Sequence, residues 1–110
     1  IILAGFLLKI PFEMVELYPK KIINIHPSLL PKYGGKGMYG LNVHKCVLEN
    51  KEAESGITIH FVNQQYDKGE IILQKKCSIS SAETIEGLDK KIRYLELKHL
   101  PRTIEKILLQ

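Results

Sequence analysis

Two polar residues two positions apart, Asn24 and His26, are the first place in this sequence where chemistry could sit. They fall in Ile22-Ile23-Asn24-Ile25-His26, which reads as a strand. Residues i and i+2 of a strand project from one face, so Asn24 and His26 point together while Ile25 points into the opposite layer. An amide donor beside an imidazole is a sound way to hold a developing oxyanion. Pro27 ends the strand at once and leaves the pair near its C-terminal end, where ligands bind in open α/β sheets. Asp67, in the turn signal Tyr66-Asp67-Lys68-Gly69, is the second candidate. A carboxylate beside His26 would favour the imidazolium and hold the ring, although aspartate also serves such turns simply by bonding its own backbone. His60 lies on the polar side of its strand, which suits either a supporting role or plain exposure. His44 and His99 say nothing by themselves.

The elements that must position these residues alternate along the chain. The apolar run Ile1 to Phe6 predicts a strand buried on both faces of a parallel sheet. Pro11 to Leu17 predicts a short helix with Pro11 in its first turn. After the Ile22 to His26 strand, Pro27 and Pro31 enforce an irregular segment. It runs into Gly34 to Gly40, whose four glycines match neither a P-loop nor a dinucleotide fingerprint and predict a mobile lid. Leu41 to Asn50 reads as a helix with Val43, Val47 and Leu48 close together on its surface. In Gly56 to Val62, Ile57, Ile59 and Phe61 point one way, Thr58 and His60 the other. Glu70 to Lys76 is a further strand. Ser80 and Glu83 form a capping box for a helix with Ile85, Leu88, Ile92 and Leu95 on one stripe. Pro101 interrupts that helix, and Ile104 with Leu108 continues the spacing. The sum is one α/β domain with a mixed sheet.

At 110 residues the chain forms one domain at most. The formal net charge is +4, but basic and acidic residues alternate and the aromatics are scattered. That pattern predicts a solvated lysine-rich surface and no nucleic-acid partner; its mild positive field suits phosphate-bearing small molecules. No uncharged apolar run approaches the roughly 20 residues of a membrane span. The opening apolar run stops at Lys9 and lacks the basic lead and cleavage site of a signal peptide. Cys46 and Cys77 have no metal-ligand spacing and read as free thiols in a reducing compartment. The chain opens without Met inside a predicted strand, so further sequence is expected upstream.

The string Asn24-Ile25-His26-Pro27-Ser28-Leu29-Leu30-Pro31-Lys32-Tyr33 resembles the signature of the folate-dependent formyltransferases, and most of all the glycinamide ribonucleotide transformylase group. Gly56-Ile57-Thr58-Ile59-His60-Phe61-Val62, then Tyr66-Asp67-Lys68-Gly69-Glu70-Ile71-Ile72-Leu73-Gln74, resembles a second signature in the right order, and Leu3-Ala4-Gly5-Phe6 fits ahead of both. The resemblance implies the C-terminal half of a Rossmann-like formyltransferase domain over residues 1–110, with the N-terminal phosphate-binding half absent. It also implies transfer of a formyl group from 10-formyltetrahydrofolate, a co-substrate, to the amine of glycinamide ribonucleotide in purine biosynthesis. No metal is required, the compartment is cytoplasmic, and homo-oligomerisation is left open. Asn24 and His26 would steady the oxyanion, and Asp67 would orient His26 and assist proton transfer. His60 and Glu96 would contact substrate, and Leu3, Leu7, Ile10, Val62 and Asp67 would line the folate. Leu8-Lys9 departs from the usual arginine-isoleucine pair, and the Gly34 to Leu41 segment is longer than usual. Formyltetrahydrofolate hydrolase and methionyl-tRNA formyltransferase share the Asn-x-His and Asp elements; the proline at position 27 and Glu96 favour the ribonucleotide enzyme. A non-catalytic fragment is the alternative of a different class.

Overall fold

The computed structural model describes residues 1–3, 10–63 and 69–109. Strands β1 (Ile2–Leu3), β2 (Ile23–His26), β3 (Glu54–Phe61) and β4 (Ile71–Ser78) form one sheet in the order β1-β2-β3-β4. The β1–β2 pair is parallel and the other two pairs are antiparallel, so the sheet is mixed, as expected for this α/β chain. Helix α1 (Phe12–Leu17) joins the parallel pair, α2 (Leu41–Glu49) precedes β3, and α3 (Ile85–Leu108) closes the described chain.

Alternation along the strands sorts the two sheet faces. Ile23 and Ile25 of β2 with Ile57 and Ile59 of β3 form one buried cluster with Val43 and Val47 of α2 and Leu88 and Ile92 of α3. Both long helices therefore cover one face, and their apolar stripes supply the matching surface. The opposite face carries Asn24, His26, Thr58, His60 and Gln74, the i±1 neighbours of the core residues. That face is polar, yet on β2 and β3 much of it is buried: Thr58 is 0% and His60 2% exposed, while Gln74 on β4 is exposed. The expectation that His60 could simply be exposed is thereby corrected.

Five further expectations give way to the structure. Ile1 and Ile2 are about half exposed, at 49% and 48%, because β1 lies at a sheet edge instead of between two covered faces. Pro11 sits outside α1 as its N-cap, its carbonyl accepting from Met14 N and Val15 N. The cap of α3 is Thr84, whose hydroxyl accepts from Gly87 N at 3.0 Å, whereas Ser80 only turns the chain through its carbonyl to Glu83 N. Pro101 does not interrupt α3, which is continuous through it. Proline in a helix interior costs about 3 kcal/mol, and here Leu95 and Leu100 before it and Ile104 and Ile107 after it pack against the core and hold both halves in line. Leu108, expected on that stripe, is exposed.

Candidate active site

The antiparallel register of β2 on β3 decides what faces what. Asn24 is the partner of His60 and His26 the partner of Thr58, while parallel β1 sets Leu3 beside Asn24. The row Leu3–Asn24–His60 thus crosses three strands on one face, and the next row runs His26–Thr58–Gln74. The period-2 expectation for Asn24 and His26 holds: they share a face, with Ile25 in the core beneath.

The side-chain bonds then fix the two rings. Asn24 Nδ2 lies 3.4 Å from His60 Nε2, and His60 Nδ1 lies 2.9 Å from the Phe61 carbonyl. A carbonyl can only accept, so Nδ1 carries a proton and, in the neutral ring, Nε2 accepts from the Asn24 amide. In His26 the protonated nitrogen facing a carbonyl is Nε2, whose N–H donates to the Tyr33 carbonyl at 2.7 Å. Tyr33 holds that carbonyl in place with a left-handed backbone, φ +57°, a conformation costing a non-glycine residue about 1–2 kcal/mol. Burial, first, and the Glu52 carboxylate, second, push the Tyr33 phenol above its usual pKa.

Between His26 and Tyr33 the chain folds back over the sheet. The Leu30–Pro31 peptide there is cis. Thr58 Oγ1 donates to the Ser28 carbonyl at 2.7 Å and accepts from Leu30 N and from Gln74 Nε2, both at 3.0 Å. Gln74 Nε2 also donates to the Leu30 carbonyl at 2.9 Å, and Ser28 Oγ to the Lys32 carbonyl at 2.7 Å. Thr58 and Gln74 both fall inside the second signature string, and Thr58 also on the polar side of its strand, but nothing in the sequence assigns either a role. The lid expected over Gly34 to Gly40 includes Met38, which packs on the core, and turns closed by Met38 N to Gly35 O and Tyr39 N to Gly37 O.

The remaining predicted residues are distributed as follows. Ile10 is buried, Leu3 is partly covered, and the Val62 amide bonds the Ile22 carbonyl at 2.8 Å. Asp67 and Leu7 lie outside the described residues. Gly69, which follows them, packs so tightly on β3 that a Cβ there would lie 1.5 Å from the Phe61 carbonyl oxygen and 3.5 Å from His60 Nδ1. Glu96 is half-buried on α3, the helix that covers the other face of the sheet. Burial raises its pKa, Arg93 opposes that and Asp89 adds to it. Asp89 in turn bonds Arg93 at 2.8 Å and His44 Nε2 at 3.3 Å. Burial lowers the His44 pKa more than Asp89 raises it. A groove of about 490 Å³ lined by Leu29, Pro31, Tyr33, Glu52, Ser55 and Gln74, among others, contains none of the predicted site residues.

Comparison with known proteins adds a family to this geometry. Residues 1–104 match the family model described as formyl transferase. Over 98 residues the chain is 50% identical to the chloroplastic phosphoribosylglycinamide formyltransferase of Arabidopsis thaliana, covering 89% of this chain and 34% of that protein. It is 38% identical over 105 residues to phosphoribosylglycinamide formyltransferase of Haemophilus influenzae, covering 96% and 47%. The crystal structure of phosphoribosylglycinamide formyltransferase from Bacillus halodurans superposes with a TM-score of 0.87 at 34% identity, over 97% of this chain and 53% of that one. The chain spans about a third to a half of the length of these relatives.

Proposed function

The chain belongs to the formyl transferase family, and on that premise we propose that the full-length protein transfers a formyl group from 10-formyltetrahydrofolate to the amine of glycinamide ribonucleotide. The observation that carries the proposal is the shared face of Asn24 and His26, with Leu3 and His60 flanking Asn24 in register. In this reading the amine attacks the formyl carbon, its electrons move onto the carbonyl oxygen, and an oxyanion forms. One N–H of Asn24 is directed at His60 Nε2; the second donates to that oxyanion, and His26, two positions along the strand with its Nε2–H held by the Tyr33 carbonyl, stabilises it as an imidazolium through Nδ1–H. Collapse of the intermediate breaks the bond to the folate nitrogen, which takes up the proton that the amine loses. Asp67 orients His26 and serves that proton transfer.

Leu3, Leu7, Ile10 and the Val62 to Asp67 backbone form the folate wall in this proposal. His60 and Glu96 serve the ribonucleotide, the first from the polar sheet face, the second from α3. No metal enters the chemistry. The cytoplasmic expectation belongs to the proposal too; the Arabidopsis relative is named as chloroplastic, and cell fractionation separates the two compartments. The test of the activity is formyl transfer by the full-length protein and its Asn24→Ala and His26→Ala variants. Loss of an oxyanion donor lowers kcat by about 10²-fold or more with substrate affinity nearly kept. Near-normal turnover in either variant refutes the assignment.

A further inference from the structure

We infer that Thr58 and Gln74 form a clamp that positions His26 for the reaction, acting through the backbone of residues 28–33. His26 leaves β2 at its end, and its Nε2–H must find the Tyr33 carbonyl seven residues on. Nothing local guarantees that meeting. Between the two, the chain crosses back over β3, and the contacts that hold the crossing come from Thr58 and Gln74. The Thr58 hydroxyl has one donor and two acceptor sites, and the Ser28 carbonyl, Leu30 N–H and Gln74 amide fill all three. Gln74 then takes the Leu30 carbonyl, so both polar backbone groups of Leu30 are bonded by this pair. A Cβ at Gly56 would lie 2.0 Å from the Lys75 carbonyl oxygen of β4, and at 2.7 Å from Leu29 Cδ2 it would press on the crossing as well.

The arrangement ties two sheet positions to a ring they do not touch. Thr58 sits opposite His26 in the β2–β3 register and Gln74 opposite Thr58 in the next pair. The clamp therefore starts at the strand position of the ring it serves and returns to that ring through the Tyr33 carbonyl. Thr58 is fully buried, so losing its hydroxyl strands the Leu30 N–H without solvent to replace it. Gln74 sits on an exposed position of β4, where substitution spares the core. Both are positioning residues; neither is assigned contact with substrate.

The kinetic arm of the test rests on the proposed formyl transfer, whereas the spectroscopic arm does not. In the full-length protein, the His26 Nε2–H should give a solvent-protected imidazole resonance in water, assigned by its loss in His26→Gln. Thr58→Val and Gln74→Leu should each abolish that protection and lower kcat by about 10-fold or more, since misplacing a catalytic group by about 1 Å costs about 10²-fold. KM should stay within about 3-fold, and Thr58→Ser should restore both signals. Retention of the protected resonance in folded Thr58→Val and Gln74→Leu overturns the clamp, as does failure of Thr58→Ser to restore it. If Thr58→Val does not fold, Gln74→Leu decides by the same resonance. If the wild-type protein shows no formyl transfer but the resonance depends on Thr58 and Gln74, the clamp stands and the activity reading falls.

Discussion

A methyl group added at Gly69 is the smallest change that should damage both the fold and the site. The new Cβ would lie 1.5 Å from the Phe61 carbonyl oxygen, whereas Cβ contacts below 3.0 Å are essentially never seen. The turn must therefore retreat by about 1.5 Å, and its obstacle is backbone, which cannot swing aside as a side chain could. That retreat pulls on the bond from Phe61 N to the Glu70 carbonyl, now 2.9 Å, which closes β3 onto β4. One lost hydrogen bond is worth about 1 kcal/mol net, and a buried group left unpaired adds about 1–3 kcal/mol, so Gly69→Ala should cost about 2–4 kcal/mol. With a urea m-value of about 1.5 kcal/mol/M, the unfolding midpoint should fall by about 1.3–2.7 M. Gly37→Ala is the control. Its φ is +84° but no atom lies within 4 Å of the added Cβ, so it should show only the left-handed penalty of about 1–2 kcal/mol. Equal midpoints for Gly69→Ala and wild type would refute the close approach, and equal losses in the two variants would show that backbone conformation, not contact, sets the cost.

Two linkage effects of opposite sign follow from the α2–α3 seam. Because burial holds the His44 pKa below its unfolded value of about 6.5, its contribution to stability is present above that pH and is lost as pH falls through the folded value. His44→Gln should flatten the decline of stability below neutrality, and an unchanged slope in denaturant titrations across pH 5 to 7 (roughly, set by that pKa) would contradict it. Glu96 is the reverse case: its raised pKa means stability is greatest below the unfolded carboxylate value and falls as pH rises through the folded one. Glu96→Gln should thus be more stable than wild type at neutral pH and equal to it in acid; a destabilised variant at neutral pH would show that the carboxylate is held by a favourable partner instead.

The period-2 pattern made the pairing of Asn24 with His26 legible, since strand geometry leaves no other reading of alternate residues. The same pattern showed Ile57 and Ile59 as core and put Thr58 and His60 on the far side. What it could not show is which backbone would cover that far side. The bonds from Thr58 to Ser28 and Leu30 join residues about thirty positions apart, and hydrogen-bond partners at that distance leave no periodic trace. The break expected at Pro101 and the cover expected over Ile1 and Ile2 failed for a related reason. A proline reads as a break until tertiary packing outweighs it, and an apolar run reads as buried until its neighbours in the sheet are known. The Ser80–Glu83 pair has the right spacing for a cap, but Thr84 lies one residue nearer the helix and reaches Gly87 N.

Because one alternation delivers Ile23, Ile25, Ile57 and Ile59 to the helices and Asn24, His26, Thr58 and His60 to the other face, the site is in phase with the core. A single residue inserted within β2 or β3 would exchange the two sets, sending amide and imidazole into the apolar layer and isoleucine into the cleft. Such an insertion cannot be neutral for activity while harmful to folding, or the reverse. Length variation in descendants of this chain is therefore confined to segments such as Gly34 to Gly40, where an added residue shifts no strand. Stability selection alone, with no assay for turnover, would preserve the register of the polar face.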